Sequence, residues 1–287
     1  MQKSFDFSTE SVRKLAQSDV ARALAEDVGS GDLTASLIAP DRMARARVLA
    51  RESAVVCGQA WVEAAVRQCD PQAQMTWNVQ DGQRCAVNQT VLEVTGRAQA
   101  LLTAERTALN FLQLLSGVAT KTAGYVAVVA GTKARIVDTR KTIPGLRLAQ
   151  KYAVRCGGGT NHRVGLYDAV LIKENHIAAA GGVAQVLQRA APIAAQADFV
   201  EIEVETLEQL HEALDAGATM VLLDNMGLPT LQEAVRINAG RAVLEISGGV
   251  TLDGLRALAE TGVDRISIGT LTKDVQSVDY SMRFEAL

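Results

Sequence analysis

The chain has 287 residues, 48% of them hydrophobic, enough to bury a full core in one large domain or two smaller ones. With 29 basic against 32 acidic side chains the net charge is −3, which speaks against a general nucleic-acid or membrane surface, so any cationic site has to be local. Cys57, Cys69, Cys85 and Cys156 show no C-x-x-C spacing and the three histidines form no H-E-x-x-H, so the thiols are read as reduced and no structural zinc is expected.

The first twenty residues interleave Lys3, Asp6, Glu10, Arg13, Lys14 and Asp19, unlike the apolar core of a signal peptide or the acid-poor run of a transit peptide. No stretch approaches the roughly eighteen apolar residues of a membrane helix. A cytoplasmic location is expected. An opening helical segment leads through Glu26 to Thr34 into alternating runs such as Ala44 to Arg51 and Val91 to Arg97, the pattern of an antiparallel sheet in an α+β domain.

From about residue 115 the pattern changes. Short β-branched runs, each followed by a helical stretch, predict strands at Arg135 to Asp138, Ala169 to Lys173, Phe199 to Val204, Met220 to Asp224, Val243 to Ser247 and Arg265 to Gly269. A further strand at Gly124 to Ala130 stays open. Thr206 to Gln209 fits a helix-capping box, and Ala216-Gly217 a helix stop. From Glu203, strand ends recur after 21, 23 and 22 residues at Asp224, Ser247 and Gly269, the length of one βα unit. A parallel barrel or doubly wound sheet is implied. The predicted organisation is an N-terminal α+β domain over 1–115, an α/β barrel over 116–274, and a tail over 275–287 that packs back on the first domain.

In a barrel the strand ends converge on one mouth, so Asp138, Arg140, Lys173, Glu203, Asp224, Ser247-Gly248-Gly249 and Gly269 become neighbours. Between Asp138 and His176 charge and glycine are dense: Asp138 to Thr142, Arg155 to Arg163 including Gly157-Gly158-Gly159, and Lys173 to His176. Arginine forks, lysine charges and close-approaching backbone N–H groups together suit a small, multiply anionic molecule. Three readings fit these residues: an enzyme acting on such an anion, a Schiff-base aldolase using Lys173, and a non-catalytic anion-binding protein.

The ordered set Asp138 to Arg147, Cys156 to Arg163, Leu171 to His176, Glu201 to Val204, Leu223 to Asn225 and Ser247 to Gly249, with Glu26 to Thr34 and Glu105 to Asn110, resembles the quinolinate phosphoribosyltransferases over nearly the whole chain. The resemblance implies an open-faced α+β sandwich followed by an incomplete, TIM-like α/β barrel of six to seven strands. It also implies phosphoribosyl transfer from phosphoribosyl pyrophosphate to quinolinate, with loss of pyrophosphate and carbon dioxide, giving nicotinate mononucleotide for NAD synthesis. It assigns Arg106, Thr139, Arg140, His162, Arg163 and Lys173 to the two quinolinate carboxylates, with Arg106 reaching a neighbouring subunit in a homodimer, or a higher oligomer, of shared sites. Lys141, Glu203, Asp224, Ser247-Gly248-Gly249 and Ile268-Gly269-Thr270 fall to phosphoribosyl pyrophosphate, with Mg²⁺ carried mainly by that substrate near Glu203 and Asp224. Lys141, Lys173, Glu203 and Asp224 are the expected catalytic groups. A phosphoribosyltransferase for another pyridine carboxylate is the same-chemistry alternative. One departure is Lys273-Asp274, where many family members are expected to have a histidine after the last barrel strand. His176 and His211 read as structural or solvent-facing, and Cys156 as a small buried residue beside the glycines.

Overall fold

The computed structural model describes residues 5–286. In chain order it runs α1 (Thr9–Val28), a single 3-10 turn (Ala35–Leu37), β1 (Met43–Ala50), β2 (Ala54–Val55), α2 (Gln59–Cys69), β3 (Gln74–Trp77), β4 (Arg84–Cys85), β5 (Thr90–Arg97) and α3 (Ala98–Val128). Next come β6 (Arg135–Val137), α4 (Arg147–Cys156), β7 (Val170–Ile172), α5 (Glu174–Ala180), α6 (Val183–Ala194), β8 (Val200–Val204) and α7 (Leu207–Asp215). The chain closes with β9 (Met220–Asp224), α8 (Leu228–Asn238), β10 (Val243–Ser247), α9 (Leu252–Glu260), β11 (Arg265–Ser267), α10 (Thr270–Lys273) and β12 (Tyr280–Ala286). Among the described residues, no helix is long and apolar enough to cross a membrane.

Two compact units result. One comprises 6–123, 142–158 and 271–286, the other 124–141 and 159–270 with residue 5. The division expected near residue 115 falls inside α3, which continues unbroken to Val128, and the Gly124 to Ala130 stretch is helix and turn rather than strand. α4 belongs to the first unit although it follows β6 in the chain.

The first unit holds an antiparallel sheet of order β12-β1-β5-β3, with β12 forming the edge beside β1. Alternation does the work on β1: Ala44, Ala46, Val48 and Ala50 are buried while Met43, Arg45 and Arg47 face water. Val48 lies opposite Leu92, and Ala46 opposite Val94. Trp61 of α2 and Leu101, Leu112 and Leu115 of α3 are also fully buried. Each such side chain contributes roughly 1.5–3 kcal/mol. The Trp61 indole N–H donates to Asp19 of α1 at 3.0 Å, so the largest core side chain leaves no polar atom unmet.

The second unit is built on six parallel strands in the order β6-β11-β10-β9-β8-β7, all at the positions the sequence predicts. β6 and β7 form the two edges, so the barrel is incomplete. At the outer side of β6, among the described residues, Thr160 alone bridges to Val137. Neighbouring helices α5 with α6, α6 with α7 and α7 with α8 pack beside one another. In-register neighbours include Leu171 with Glu201, Leu222 with both Glu203 and Glu245, Asp224 with Ser247, Glu245 with Arg265 and Ser267 with Val137. Successive strand residues alternate between faces, so these residues share one face, with Glu201, Glu245 and Arg265 each two residues deeper along its strand than Glu203, Ser247 and Ser267.

Candidate active site

The deeper layer is polar and closed. Glu201 and Glu245 are fully buried, and His162 is 8% exposed. His162 Nε2 lies 2.8 Å from Glu201 Oε2 and 3.6 Å from Glu245 Oε1, while Glu245 Oε2 pairs with Arg265 Nε at 2.9 Å. The other imidazole nitrogen, Nδ1, accepts the Arg163 backbone N–H at 2.8 Å, which puts the ring proton on Nε2, where it is donated to Glu201. Phe199 meets the imidazole edge-on at 5.2 Å and carries the Arg265 guanidinium over its face at 5.9 Å. Burial pushes Glu201 up to about 7 against the opposing charges of Arg265 and Arg163. Burial likewise pushes Glu245 up to about 7, reinforced by Glu201 and opposed by His162 and Arg265.

His162 was expected to touch substrate. In the structure both its ring nitrogens serve the protein, one holding the Arg163 backbone and the other the glutamate layer. Asp138, fully buried just after β6, accepts the His162 backbone N–H at 2.8 Å and the Asn161 side-chain amide at 2.7 Å. Asp168 closes the same segment by accepting from Val164 N at 2.6 Å and Gly165 N at 2.9 Å. The glycine-rich turn is thereby tied to the sheet on both sides of Arg163. Burial, and then the neighbouring positive charge of Arg140, lower the Arg163 guanidinium from its ordinary value. Two cations are crowded in a half-buried place, a setting that favours an anion between them.

The upper layer is open. Lys173, just beyond β7, pairs its Nζ with Glu203 Oε2 on β8 at 3.0 Å, with the lysine side chain 46% exposed. Its backbone N–H donates to His176 Nδ1 at 3.0 Å, so His176 holds the turn into α5. Asp224 ends β9, and its Oδ2 accepts the Asn225 side-chain amide at 2.9 Å. Asn225 adopts φ 53° and donates its backbone N–H to Ser247 O at 3.3 Å. Gly248 sits at φ 98°, and a Cβ there would lie 2.9 Å from Asn225 Cγ, so only glycine fits this turn. Beside Ile268, whose N–H donates to Val137 O at 2.9 Å, Gly269 lets the Lys141 stem pass: an added Cβ would stand 2.9 Å from Lys141 Cδ. Thr139 Oγ1 accepts the Lys141 N–H at 3.0 Å and fixes that loop. Thr270 begins α10 directly after Gly269.

Thus Thr139, Arg140, Lys141, Lys173, Glu203, Asp224, Ser247, Gly248, Gly249, Gly269 and Thr270 all lie at or just beyond the C-terminal ends of the parallel strands of one unit, and Arg163 of the same unit lies on the glycine-rich segment between α4 and β7, just after the Thr160 bridge to Val137. Arg106 is exposed on α3 in the other unit. Lys273-Asp274 likewise belongs to that other unit, at the end of α10. Sequence reasoning assigned no role to Glu201, Glu245 or Arg265. The available signal was a glutamate inside each strand, Glu201 two residues before Glu203 and Glu245 two before Ser247, where parallel sheets usually carry apolar residues.

The model of the quinolinate phosphoribosyl transferase N-terminal domain matches residues 32–116, and that of its C-terminal domain matches residues 118–283. The chain is 42% identical over 277 residues to the nicotinate-nucleotide pyrophosphorylase (carboxylating) of Mycobacterium leprae, covering 93% of this chain and 96% of that one. To a quinolinate phosphoribosyltransferase (decarboxylating) of Nicotiana tabacum it is 40% identical over 283 residues, covering 92% and 80%. The solved nicotinate-nucleotide pyrophosphorylase of Francisella tularensis superposes with a TM-score of 0.93 at 42% identity, over 99% of this chain and 100% of that one. With both domains matched and the parallel-strand ends carrying the expected charged residues, the chain belongs to the quinolinate phosphoribosyltransferase family.

Proposed function

We propose that this chain transfers the phosphoribosyl group of phosphoribosyl pyrophosphate to the ring nitrogen of quinolinate and releases pyrophosphate and carbon dioxide, forming nicotinate mononucleotide. The observation that carries this reading is an ion-paired lysine and carboxylate at the strand ends, Lys173 and Glu203, in the same unit as two neighbouring guanidinium groups, Arg140 beyond β6 and Arg163 on the segment whose Thr160 bridges to β6. The guanidinium groups suit two adjacent carboxylates. The ion pair suits a sugar that gains positive charge as its bond to pyrophosphate breaks.

In this reading Thr139, Arg140, Arg163 and Lys173 hold the pyridine dicarboxylate, and His162 holds Arg163 in place from below. Glu203 and Asp224 face the ribose, where their negative charge stabilises the dissociating transition state more than the ground state. Ser247-Gly248-Gly249 and Ile268-Gly269-Thr270 offer backbone N–H groups to the terminal phosphate. Lys141, lying over Gly269, neutralises the leaving pyrophosphate. Once alkylated, the ring nitrogen draws the electrons of the breaking C–C bond, and Lys173 or Lys141 stabilises the charge that remains. Glu203 and Asp224 present only oxygen donors, which fit Mg²⁺, a hard ion that keeps most of its waters. Bound with substrate, Mg²⁺ neutralises pyrophosphate charge.

Turnover of quinolinate with phosphoribosyl pyrophosphate tests the reading, with nicotinate as the comparison. A lost second carboxylate leaves desolvated cations unpaired, about 2–5 kcal/mol, so nicotinate turning over as well as quinolinate overturns it. Chelation with EDTA should abolish activity and added Mg²⁺ restore it. The working unit is a homodimer in which Arg106 completes the site of its neighbour. Arg106→Ala and Lys173→Ala chains, each inactive alone, should recover about a quarter of wild-type activity in randomly exchanged mixtures. Verified heterodimers without recovery would place Arg106 in its own chain's site.

A further inference from the structure

Away from the strand-end site, in the other unit, two cysteines far apart in sequence meet. Cys57 lies in the turn between β2 and α2, Cys156 is the last residue of α4, and Asp81 lies in the turn between β3 and β4. Their two sulfurs and an Asp81 carboxylate oxygen all lie within 4.8 Å of one another. Cys57 is fully buried, and Cys156 is partly exposed. We propose that Cys57 and Cys156 form a reversible intramolecular disulfide under oxidation, and that its formation switches the enzyme to a low-activity state.

A buried pair of thiols beside a carboxylate could also suggest a metal ligand set, and the surroundings decide against it. A metal would hold both sulfurs permanently as buried thiolates, whereas disulfide formation needs the Cys57 proton to leave only once, with the departing hydroxyl. Burial, with the adjacent Cys156 thiol, raises the Cys57 thiol well above its ordinary value. The Asp81 oxygens are already committed: Oδ1 accepts Gly58 N at 3.0 Å and Gln59 N at 3.2 Å, and Oδ2 accepts the Tyr152 hydroxyl at 2.9 Å. A disulfide, by contrast, is neutral and leaves no buried charge. A cavity of about 200 Å³, lined by Phe7, Thr9, Gln59, Asp81 and Tyr152 among others, brings solvent down to the Asp81 side of the pair.

With hydrogen peroxide as oxidant the steps balance. The sulfur of Cys156 attacks one peroxide oxygen, the O–O bond breaks, and water leaves, giving the sulfenic acid of Cys156. The Cys57 sulfur then attacks the Cys156 sulfur, its proton leaving with the hydroxyl as a second water. Two thiols lose two electrons in all, and one peroxide gains them.

The consequence for activity follows from which end can move. Bonding brings the sulfurs to about 2.05 Å. Cys57 is clamped to α3, since its N–H donates to Ser116 Oγ at 3.0 Å and its carbonyl accepts from the same hydroxyl at 3.2 Å. The displacement therefore falls on the last turn of α4. The next residue, Gly157, packs so tightly on α3 that a Cβ there would lie 2.6 Å from Thr122 Cβ, which leaves the movement to the following glycines. Those glycines lead within a few residues to Asn161 and His162, which Asp138 holds by a side-chain amide and a backbone N–H, and to Arg163, whose backbone N–H rests on the His162 ring.

The experiment treats the full-length protein with hydrogen peroxide, blocks residual thiols with N-ethylmaleimide, digests with trypsin without reductant and measures peptide masses. The expected product joins peptide 52–67 to peptide 156–163, appears together with at least a tenfold loss of kcat/KM, and is lost with recovery of activity on adding dithiothreitol. Cys156→Ser should keep its activity through the same treatment. Oxidation of Cys156 without the cross-linked peptide overturns the proposed bond. A cross-link with unchanged turnover overturns the switch, as does equal inactivation of Cys156→Ser. The wild-type mass measurement stands even if a variant fails to fold, and it is independent of which substrates the enzyme uses.

Discussion

Glu201 and Glu203 stand two residues apart on one strand and face the same way, yet they have opposite characters. Glu201 is fully buried, meets His162 and is pushed up to about 7, whereas Glu203 lies at the strand end, pairs with Lys173 and keeps contact with water. The same contrast separates Glu245 from Ser247. Depth along the strand, not residue type, decides whether a charge holds the barrel together or is available to a ligand. Buried charges are held in place by partners at a desolvation cost, while charges at the mouth keep the solvation that a substrate later displaces.

The largest effect should come from the deeper layer. Arg265→Met removes the cation that faces Glu245 and should destabilise the protein by about 3–5 kcal/mol in chemical denaturation. A loss under about 1 kcal/mol would mean that the interior carboxylates carry protons and need no counter-charge. At the mouth the balance reverses. Lys173→Ala should cut kcat/KM by roughly 100- to 1000-fold while changing stability by no more than about 1 kcal/mol, because the lysine end of the pair is 46% exposed and water can take its place beside Glu203. A large stability loss there would erase the distinction between the layers.

Gly248→Ala tests the turn at the mouth. A side chain at φ 98° against Asn225 should cost about 1–3 kcal/mol of local strain and raise KM for phosphoribosyl pyrophosphate more than for quinolinate. Equal rises for the two substrates would break the assignment of this turn to phosphate.

The last effect is in pH dependence. Glu201 and Glu245 both have folded values near 7 against an ordinary 4.5, so their protonated forms are favoured by the fold. Their contribution to stability is fully present below about 4.5 and is lost as pH rises through about 7. Denaturation midpoints at pH 5 and pH 8 should differ in that direction, and Glu201→Gln should flatten the difference. An unchanged slope in the variant would remove Glu201 from the titrating pair.

The six parallel strands were legible because each is a short β-branched run closed by a polar or glycine residue, and the mouth residues were legible because they sit at those closures. The extent of α3 was not. A helix of 31 residues runs through residue 115 without a proline or a stop signal, so the sequence pattern did not show that it continues to Val128. His162 shows another limit. A histidine beside Arg163 in a glycine turn looks like a substrate cation, and only the packing of Phe199, Glu201 and Glu245 around its ring shows that both nitrogens are used internally.

By itself the sequence determined the strand period, the charged residues at the strand ends, the glycines at the turns and the family, because these depend on local geometry and residue order. Tertiary structure alone decided that Glu201, Glu245, His162 and Arg265 meet in one buried layer, and that Cys57 and Cys156 meet in the other unit. The physical reason is that such contacts depend on strand order, register and helix packing, which bring together residues with no common local pattern.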